Sequence, residues 1–204
     1  MKTVSTYVGF VLCLLLLIGA GCNDFPLPED EFLKSARSSE NAELKKNENK
    51  KPAELSTDEI DGLLFMREEE KLAHDVYYQF YQWYAHNIFL NICESEQKHT
   101  DAILRLLDFY DLDDPAAGKA IGVFQNTALQ DLYNSLVSDG KEGLLSALEV
   151  GVLIEETDIN DINSLMTETE VKNILQVYSH LLNGSGNHLS SFERVLSKVE
   201  SKQK

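Results

Sequence analysis

Apolar residues recur at steps of three and four through residues 88–110, and this period predicts an amphipathic helix whose apolar face packs into a core. The same face carries Glu96 and His99, three residues apart. A carboxylate and an imidazole in a core cost free energy unless something compensates them. A metal ion is one such compensation, and Glu-x-x-His is the ligand spacing of di-metal sites in four-helix bundles. The spacing therefore indicates a metal site inside a helical fold.

The rest of the C-terminal three quarters of the chain also has helical period, and no sustained alternation of polar and apolar residues predicts a strand. We expect helix A over about 56–85, helix B over 88–110, a short helix over 127–138, helix C from about 141 and helix D from about 169. Asp158 or Asp161 is a candidate break in helix C. The stripe of helix D stays in phase through Gly184-Ser185-Gly186, which predicts one long helix with a close approach or an opening at the glycines.

The lengths of the connections predict how these helices assemble. The A–B and C–D connections are short, whereas the B–C connection is long and contains the short helix. Short connections join antiparallel neighbours, and a single long connection matches a bundle with one crossover. The predicted fold class is therefore all-α, a four-helix bundle with one crossover between helices B and C.

The N-terminus predicts an export signal rather than part of the fold. Lys2 precedes an apolar run over 8–18 and then Gly19-Ala-Gly-Cys22, so residues 1–21 have the charged, apolar and small-residue regions of a signal peptide. The cysteine after small residues resembles a bacterial lipobox, although Gly19 stands where Leu is preferred. We expect lipidation of Cys22 and a lipoprotein anchored to a cell-envelope membrane, with plain secretion or an uncleaved anchor as alternatives.

Composition divides the remaining chain and limits its partners. Residues 22–55 are rich in Glu, Lys, Asn and Ser without apolar period, which predicts a disordered tether; 56–200 form the domain and 201–204 a tail. The net charge of −16 argues against nucleic acid and against electrostatic binding to anionic lipid, while it is compatible with attracting cations. Cys93 is the single thiol of the domain and predicts no disulfide within it. The sequence identifies no protein partner and is compatible with a homodimer.

Each predicted long helix places a polar residue at mid-length on its apolar stripe. The candidate metal ligands are Glu70 on A, Glu96 and His99 on B, Glu155 on C and His188 on D. Carboxylates and imidazoles suit iron, manganese or zinc, and iron is the first candidate. The alternatives are a solvated charged face over 67–71 and a buried Glu–His hydrogen bond without metal.

Three further acids are possible additional ligands. Glu69 is the rival of Glu70, Glu156 is the rival of Glu155, and Asp158 lies one turn after Glu155.

Four motifs together resemble a known family. They are Met66-Arg-Glu-Glu-Glu-Lys-Leu-Ala-His-Asp-Val-Tyr77, Ser95-Glu-Gln-Lys-His99, Gly151-Val-Leu-Ile-Glu-Glu-Thr-Asp-Ile159 and Gly184-Ser-Gly-Asn-His-Leu-Ser-Ser-Phe192. In order and spacing they are similar to the family of domain of unknown function 2202, within the ferritin-like superfamily, over about 60–200. Helix A also resembles rubrerythrin-type helices, in which the ligand Glu precedes an Ala by three and a Tyr by seven. Ala73 and Tyr77 meet that pattern, which favours Glu70 over Glu69.

One departure from the ferritin-like pattern bears on the chemistry. A second Glu-x-x-His is expected on helix D, but the tetrad here is Ser185-x-x-His188. The resemblance implies a di-metal carboxylate centre that oxidises iron or consumes peroxide, and the missing carboxylate leaves a second ion less well held. The other hypotheses are a helical binding or structural module with a degenerate or zinc-filled site, and a metal carrier or sensor without turnover.

Overall fold

Five helices and no strand make up residues 54–203, the part of the chain that the computed structural model describes. The helices are α1 Thr57–Tyr84, α2 Asn87–Tyr110, α3 Thr127–Gly140, α4 Leu144–Thr167 and α5 Lys172–Gln203. The all-helical fold class is confirmed. The predicted signal peptide, the lipidation site Cys22 and nearly all of the predicted tether lie outside the described residues.

Local sequence signals explain where the helices begin and end. Ser56 Oγ accepts a hydrogen bond from the Glu59 amide at 3.2 Å, and the Glu59 carboxylate accepts one from the Ser56 amide at 2.8 Å. This reciprocal pair satisfies two amides that the first turn of α1 leaves without helical partners. Ala85 and Asp111 end α1 and α2 in the left-handed conformation, with φ of 48° and 56°. The chain therefore reverses over two residues between α1 and α2.

The helices α4 and α5 are each continuous. The expected break in α4 at Asp158 or Asp161 does not occur. Asp158 accepts a hydrogen bond from the Ser185 hydroxyl of α5, so its carboxylate is engaged across the interface rather than with its own backbone. The prediction that α5 continues through 184–186 is confirmed, and the same helix extends over residues 201–203.

Packing contacts join the four long helices in a ring. α1 packs on α2 and on α4, while α5 packs on α2 and on α4; α3, within the long connection, packs on α1 and α4. Two apolar clusters fill the interior. One contains Val76 and Phe80 of α1 with Phe192 of α5, and the other contains Met66 of α1 with Leu181 of α5. The stripes of α1 and α5 therefore cross a polar layer between the two clusters, at Glu70 and His188.

The charged run over 67–71 is not a solvated face, contrary to that alternative. Arg67, Glu68, Glu69 and Glu70 are all buried. Arg67 forms a two-pronged ion pair with Asp114 at 3.0 Å, and the Glu68 carboxylate accepts hydrogen bonds from the amides of residues 125 and 126. These contacts attach the connection between α2 and α3 to α1. Arg67 and Glu68 are tolerated inside because each has a charged or hydrogen-bonded partner in that connection.

None of the helices within residues 54–203 is both long enough and apolar enough to cross a membrane.

Candidate metal centre

Glu96 lies at the centre of the polar layer, between two histidines. Its Oε2 is 2.8 Å from His99 Nδ1 on the same helix, and its Oε1 is 2.8 Å from His188 Nδ1 on α5. The three residues are 2%, 3% and 8% exposed. Each offers one ligand atom within 4.8 Å of those of the others, which is compact enough for one metal ion.

Two further carboxylates complete the cluster from the other helices. Glu70 Oε2 of α1 is 3.2 Å from His99 Nδ1, and Glu155 Oε2 of α4 is 3.5 Å from His188 Nδ1. Both side chains are 1% exposed. The structure therefore brings together the side chains of Glu70, Glu96, His99, Glu155 and His188, and these are the five residues that the sequence stripes proposed as ligands.

The three possible additional ligands do not share one place. Glu156 is exposed on the outer face of α4 and takes no part in the cluster. Glu69 and Asp158 are each 6% exposed, and they line a cavity between α1, α3 and α4. Burial raises the pKa of Glu69, and the negative charges of Asp158 and Asp161 raise it further.

The carboxylate of Asp158 reaches from α4 to Ser185 of α5. Ser185 stands in the position at which the ferritin-like pattern has Glu, and its hydroxyl donates to Asp158 Oδ2 and to the Leu181 carbonyl. The acid therefore reaches the α5 surface from α4 instead of from α5 itself. Sequence reasoning named Asp158 as a possible ligand but gave no sign of its bond to Ser185.

Three neighbouring residues orient the cluster. Tyr77 donates a hydrogen bond from its hydroxyl to Glu155 Oε1 at 2.6 Å. Ser95 Oγ is 2.9 Å from His188 Nε2, so the other ring nitrogen faces the carboxylates. A Cβ on Gly184 would lie 2.4 Å from His99 Nε2, so the glycine makes room for that ring. The expected close approach in α5 is thus at Gly184, while a Cβ on Gly186 would meet nothing within 4 Å.

The charges within the cluster are strongly coupled. Burial alone would raise the pKa of Glu96, but His188 and His99 lower it to about 2. Burial and the charge of Glu96 raise the pKa of Glu155 to about 8, and they raise that of Asp158 to about 7. Burial would lower the pKa of His188, yet Glu155 and Glu96 raise it to about 10. The protein thus holds several acids together and keeps protons among them.

Some polar atoms of this layer have no hydrogen-bond partner among the described residues. They are Glu70 Oε1, Glu155 Oε2 and Asp158 Oδ1. A buried polar atom without a partner costs free energy and asks for an explanation, such as an ion. Carboxylate oxygens and imidazole nitrogens are ligands that iron, manganese and zinc accept. The residues present therefore fit a transition-metal ion.

The raised pKa values predict how stability depends on pH without metal. Glu155 keeps its proton in the folded state up to about pH 8 but loses it near its ordinary pKa of 4.5 when unfolded, so stability falls as the pH rises through this window. The pKa of Asp158 rises from 3.8 in the unfolded chain to about 7 in the folded protein, and that of His188 rises from 6.5 to about 10. Both groups therefore also lower the stability as the pH rises through these windows. Glu96 contributes stability above pH 4.5 that is lost as the pH falls to about 2. We expect the metal-free melting temperature to fall from pH 5 to pH 9, measured by circular dichroism.

A variant and a metal provide the controls for this pH profile. Glu155→Gln removes one of the protonating groups and should flatten the profile between pH 5 and pH 8. A bound metal needs deprotonated ligands, so its stabilisation should grow with pH over the same range. If the melting temperature of the metal-free wild type rises from pH 5 to pH 8 relative to that of metal-free Glu155→Gln, the assigned protonation of Glu155 is contradicted.

The fold and the site define a class: an all-helical protein with a buried Glu–His cluster that can hold a metal ion. The family model described as "Uncharacterized protein domain (DUF2202)" matches residues 59–203, and the chain belongs to this family. The membership that the four motifs predicted is confirmed.

A solved structure is available for one similar protein. Uncharacterized protein MJ0754 of Methanocaldococcus jannaschii is 44% identical over 147 residues, which are 72% of this chain and 80% of that protein. The crystal structure of hypothetical protein MJ0754 from Methanococcus jannaschii matches with a TM-score of 0.72 at 42% identity, covering 73% of this chain and 85% of that chain.

Proposed function

We propose that this chain is a ferritin-like four-helix bundle protein that binds one or two transition-metal ions, with iron as the first candidate. The observation that carries the proposal is the convergence of five buried ligand-type side chains from four helices. Four helices that each contribute to one polar layer are the arrangement of metal sites in such bundles. The ring of contacts among the four long helices supports the same architecture.

The side chains have separable roles in this proposal. Glu70, Glu96, His99, Glu155 and His188 would hold the first ion. Tyr77 would fix the rotamer of Glu155, and Ser95 would fix the ring of His188, because partners of this kind set the orientation of ligands. A second ion would need Asp158 or Glu69. Bound iron would supply reactivity towards oxygen or peroxide, and the buried layer would exclude bulk water from it.

We also propose that the domain works outside the cytoplasm on a lipid anchor. The lipobox-like Gly19-Ala-Gly-Cys22 would be cut before Cys22, whose acyl chains would hold the protein at a cell-envelope membrane. The tether over 23–55 would then separate the domain from the bilayer. Manganese and zinc stay alternatives to iron, and a homodimer stays compatible with the sequence.

One observation favours a second function, a structural or binding module without turnover. His188, with its pKa raised to about 10, carries a positive charge between Glu96 and Glu155. The Glu96 carboxylate can thus be compensated by a protonated imidazole rather than by an ion, while Glu155 keeps its proton. A cluster of this kind would fix the register of the helices and leave the outer surface to bind an envelope partner.

Metal analysis of the purified chain separates the two functions. We expect one or two ions of iron per chain after anaerobic loading and desalting, measured by plasma mass spectrometry. Glu155→Gln keeps the size of a ligand side chain but removes its charge, and it should lower the metal content to less than half. Glu156→Gln is the matched control, since the neighbouring acid is exposed on the same helix.

The outcomes point in opposite directions. Equal metal content in Glu155→Gln and Glu156→Gln would contradict the ligand assignment. A wild-type chain that binds no iron, manganese or zinc, with a melting temperature that none of these ions raises, would favour the structural module.

A further inference from the structure

A polar cleft of about 390 Å³ lies between α1, α2 and the connection that follows α2, and none of the five proposed ligands lines it. Four basic residues line this cleft, three on one face of α1 and one in the connection: Arg67, Lys71, His74 and Lys119. Asp75 is the one acid among its lining residues. The whole chain has 34 acidic and only 18 basic residues, so the charge of the cleft is opposite to that of the molecule.

The single acid of the cleft lies beneath the positive charges. Asp75 is 1% exposed. Its carboxylate accepts hydrogen bonds from the Lys71 ammonium, from His74 Nδ1 at 2.9 Å and from the amide of residue 122 at 2.8 Å. The side chains of Lys71 and His74 are 12% and 19% exposed, so an anion that enters from solvent meets two cations before it meets the carboxylate. Burial lowers the pKa of His74, but Asp75 and Cys93 raise it to about 9, which keeps the ring charged at neutral pH.

Two positive charges in the cleft have no partner within residues 54–203. Asp75 compensates one of its two cations, and Asp114, at 3.0 Å, compensates the guanidinium of Arg67. The second cation beside Asp75 is left over, and so is the ammonium of Lys119, which forms no ion pair in this part of the chain. The Lys71 ammonium also keeps a free donor, since it has three and uses two, for Asp75 and for the carbonyl of residue 120.

Charge and shape together define the ligand class. A divalent cation would be repelled by the uncompensated bases, and an apolar ligand would take their water away without replacing it. A dianion matches two spare positive charges, whereas a carboxylate carries one charge. The donors come from α1 and from the connection, and the oxygens of a tetrahedral phosphate point in enough directions to reach both. Hydrogen bonds from lysine to phosphate are of the strong, charge-assisted kind.

We propose that this cleft binds a phosphate dianion, either as free phosphate or as the phosphate group of a small monoester. The ammonium groups of Lys71 and Lys119 donate to the phosphate oxygens, while His74 and Arg67 supply positive charge beside them. The cleft of about 390 Å³ leaves room for a small organic group next to the phosphate. The site is separate from the Glu–His cluster and needs no metal there.

Calorimetric titration of the full chain tests the ligand class, after metal has been removed with chelator and the chelator by desalting. The probes are inorganic phosphate and acetate near pH 7.5, where phosphate is mainly a dianion. We expect one phosphate per chain and binding of acetate weaker by at least about 10-fold, since charge-assisted hydrogen bonds are lost. Glycerol 3-phosphate distinguishes the two sources of the group. Tighter binding than that of inorganic phosphate assigns a monoester as the ligand, and equal or weaker binding assigns free phosphate.

Two exposed residues of the cleft provide variants with matched controls. Lys119→Gln should weaken phosphate binding by at least about 10-fold, whereas Lys98→Gln, which removes the same charge from an exposed position outside the cleft, should leave it unchanged. Gln97→Glu adds a negative charge of nearly the same shape to the α2 wall and should abolish phosphate binding. Gln176→Glu makes the same change on the exposed face of α5 and should have no effect.

Several results would overturn the proposal. They are acetate binding as tight as that of phosphate, normal phosphate affinity in Lys119→Gln or in Gln97→Glu, and equal losses in a variant and its control. Sedimentation of the chain with vesicles of phosphatidylglycerol, without any competition by free phosphate, would also overturn it. Because these titrations use the metal-free chain, failure of the proposed metal function would leave the phosphate result intact.

Discussion

Glu96→Ala should remove metal binding while leaving a folded, helical protein. Glu96 is the residue that both histidines approach, at 2.8 Å each, so its loss removes one ligand and the anchor for two others. Changes to residues that only support metal ligands cost about 10–100-fold in affinity, so we expect a loss of at least about 100-fold here. At saturating metal, this corresponds to about 2.7 kcal/mol less ligand-linked stabilisation. The measurement is the melting temperature with and without Fe²⁺ or Mn²⁺ under anaerobic conditions.

Glu94→Ala is the control, because Glu94 is exposed on the same helix two residues earlier. It should keep the full metal-induced rise in melting temperature. The substitution at Glu96 also removes a negative charge that helps to raise the pKa values of Glu155 and Asp158, so these should move down towards their ordinary values. An unchanged metal-induced shift in Glu96→Ala would refute the central role of this carboxylate.

The sequence predicted the helices and the centre of the site for a common physical reason. Helical period places Glu96 and His99 on the stripe that also carries Ile92 and Ile103, and the stripe points to the core in the structure. The cost of burying such residues made them recognisable as candidates. The start of α1 is likewise set locally, because Ser56 and Glu59 form a capping box across its first turn.

What could not be predicted depends on partners that are distant in the chain. Glu68 looks like a surface residue until the connection before α3 supplies two amides 57 and 58 residues later. Asp158 was a candidate helix break because the sequence of α4 does not show its partner. That partner, the hydroxyl of Ser185, lies on α5. The sequence of α1 shows the tyrosine at position 77 but does not reveal that its hydroxyl reaches Glu155 on α4. In each case the residue type was visible, but its role was set by tertiary contact.

Gly184→Ala should destabilise the protein and weaken metal binding, although alanine is the better helix former. The new Cβ would lie 2.4 Å from His99 Nε2 and 2.5 Å from its Cε1, closer than real contacts allow. The ring is packed against Glu70 and Glu96, so it must leave those carboxylates or push the helices apart. Overpacking of this kind costs about 1–3 kcal/mol. Urea unfolding and anaerobic metal titration of the same variant measure the two effects.

Gly186→Ala supplies the matched control in the same helix and the same tripeptide. A Cβ there meets nothing within 4 Å, so only the helix preference remains, and it favours alanine by about 1 kcal/mol. We therefore expect opposite signs: Gly186→Ala more stable than the wild type with normal metal affinity, Gly184→Ala less stable with reduced affinity. Equal stabilisation by both substitutions, with the same metal affinity in both variants, would show that His99 does not occupy the space beside Gly184. The contact between α2 and α5 in the cluster would then be wrong. The paired signs make the test independent of any general effect of alanine on α5.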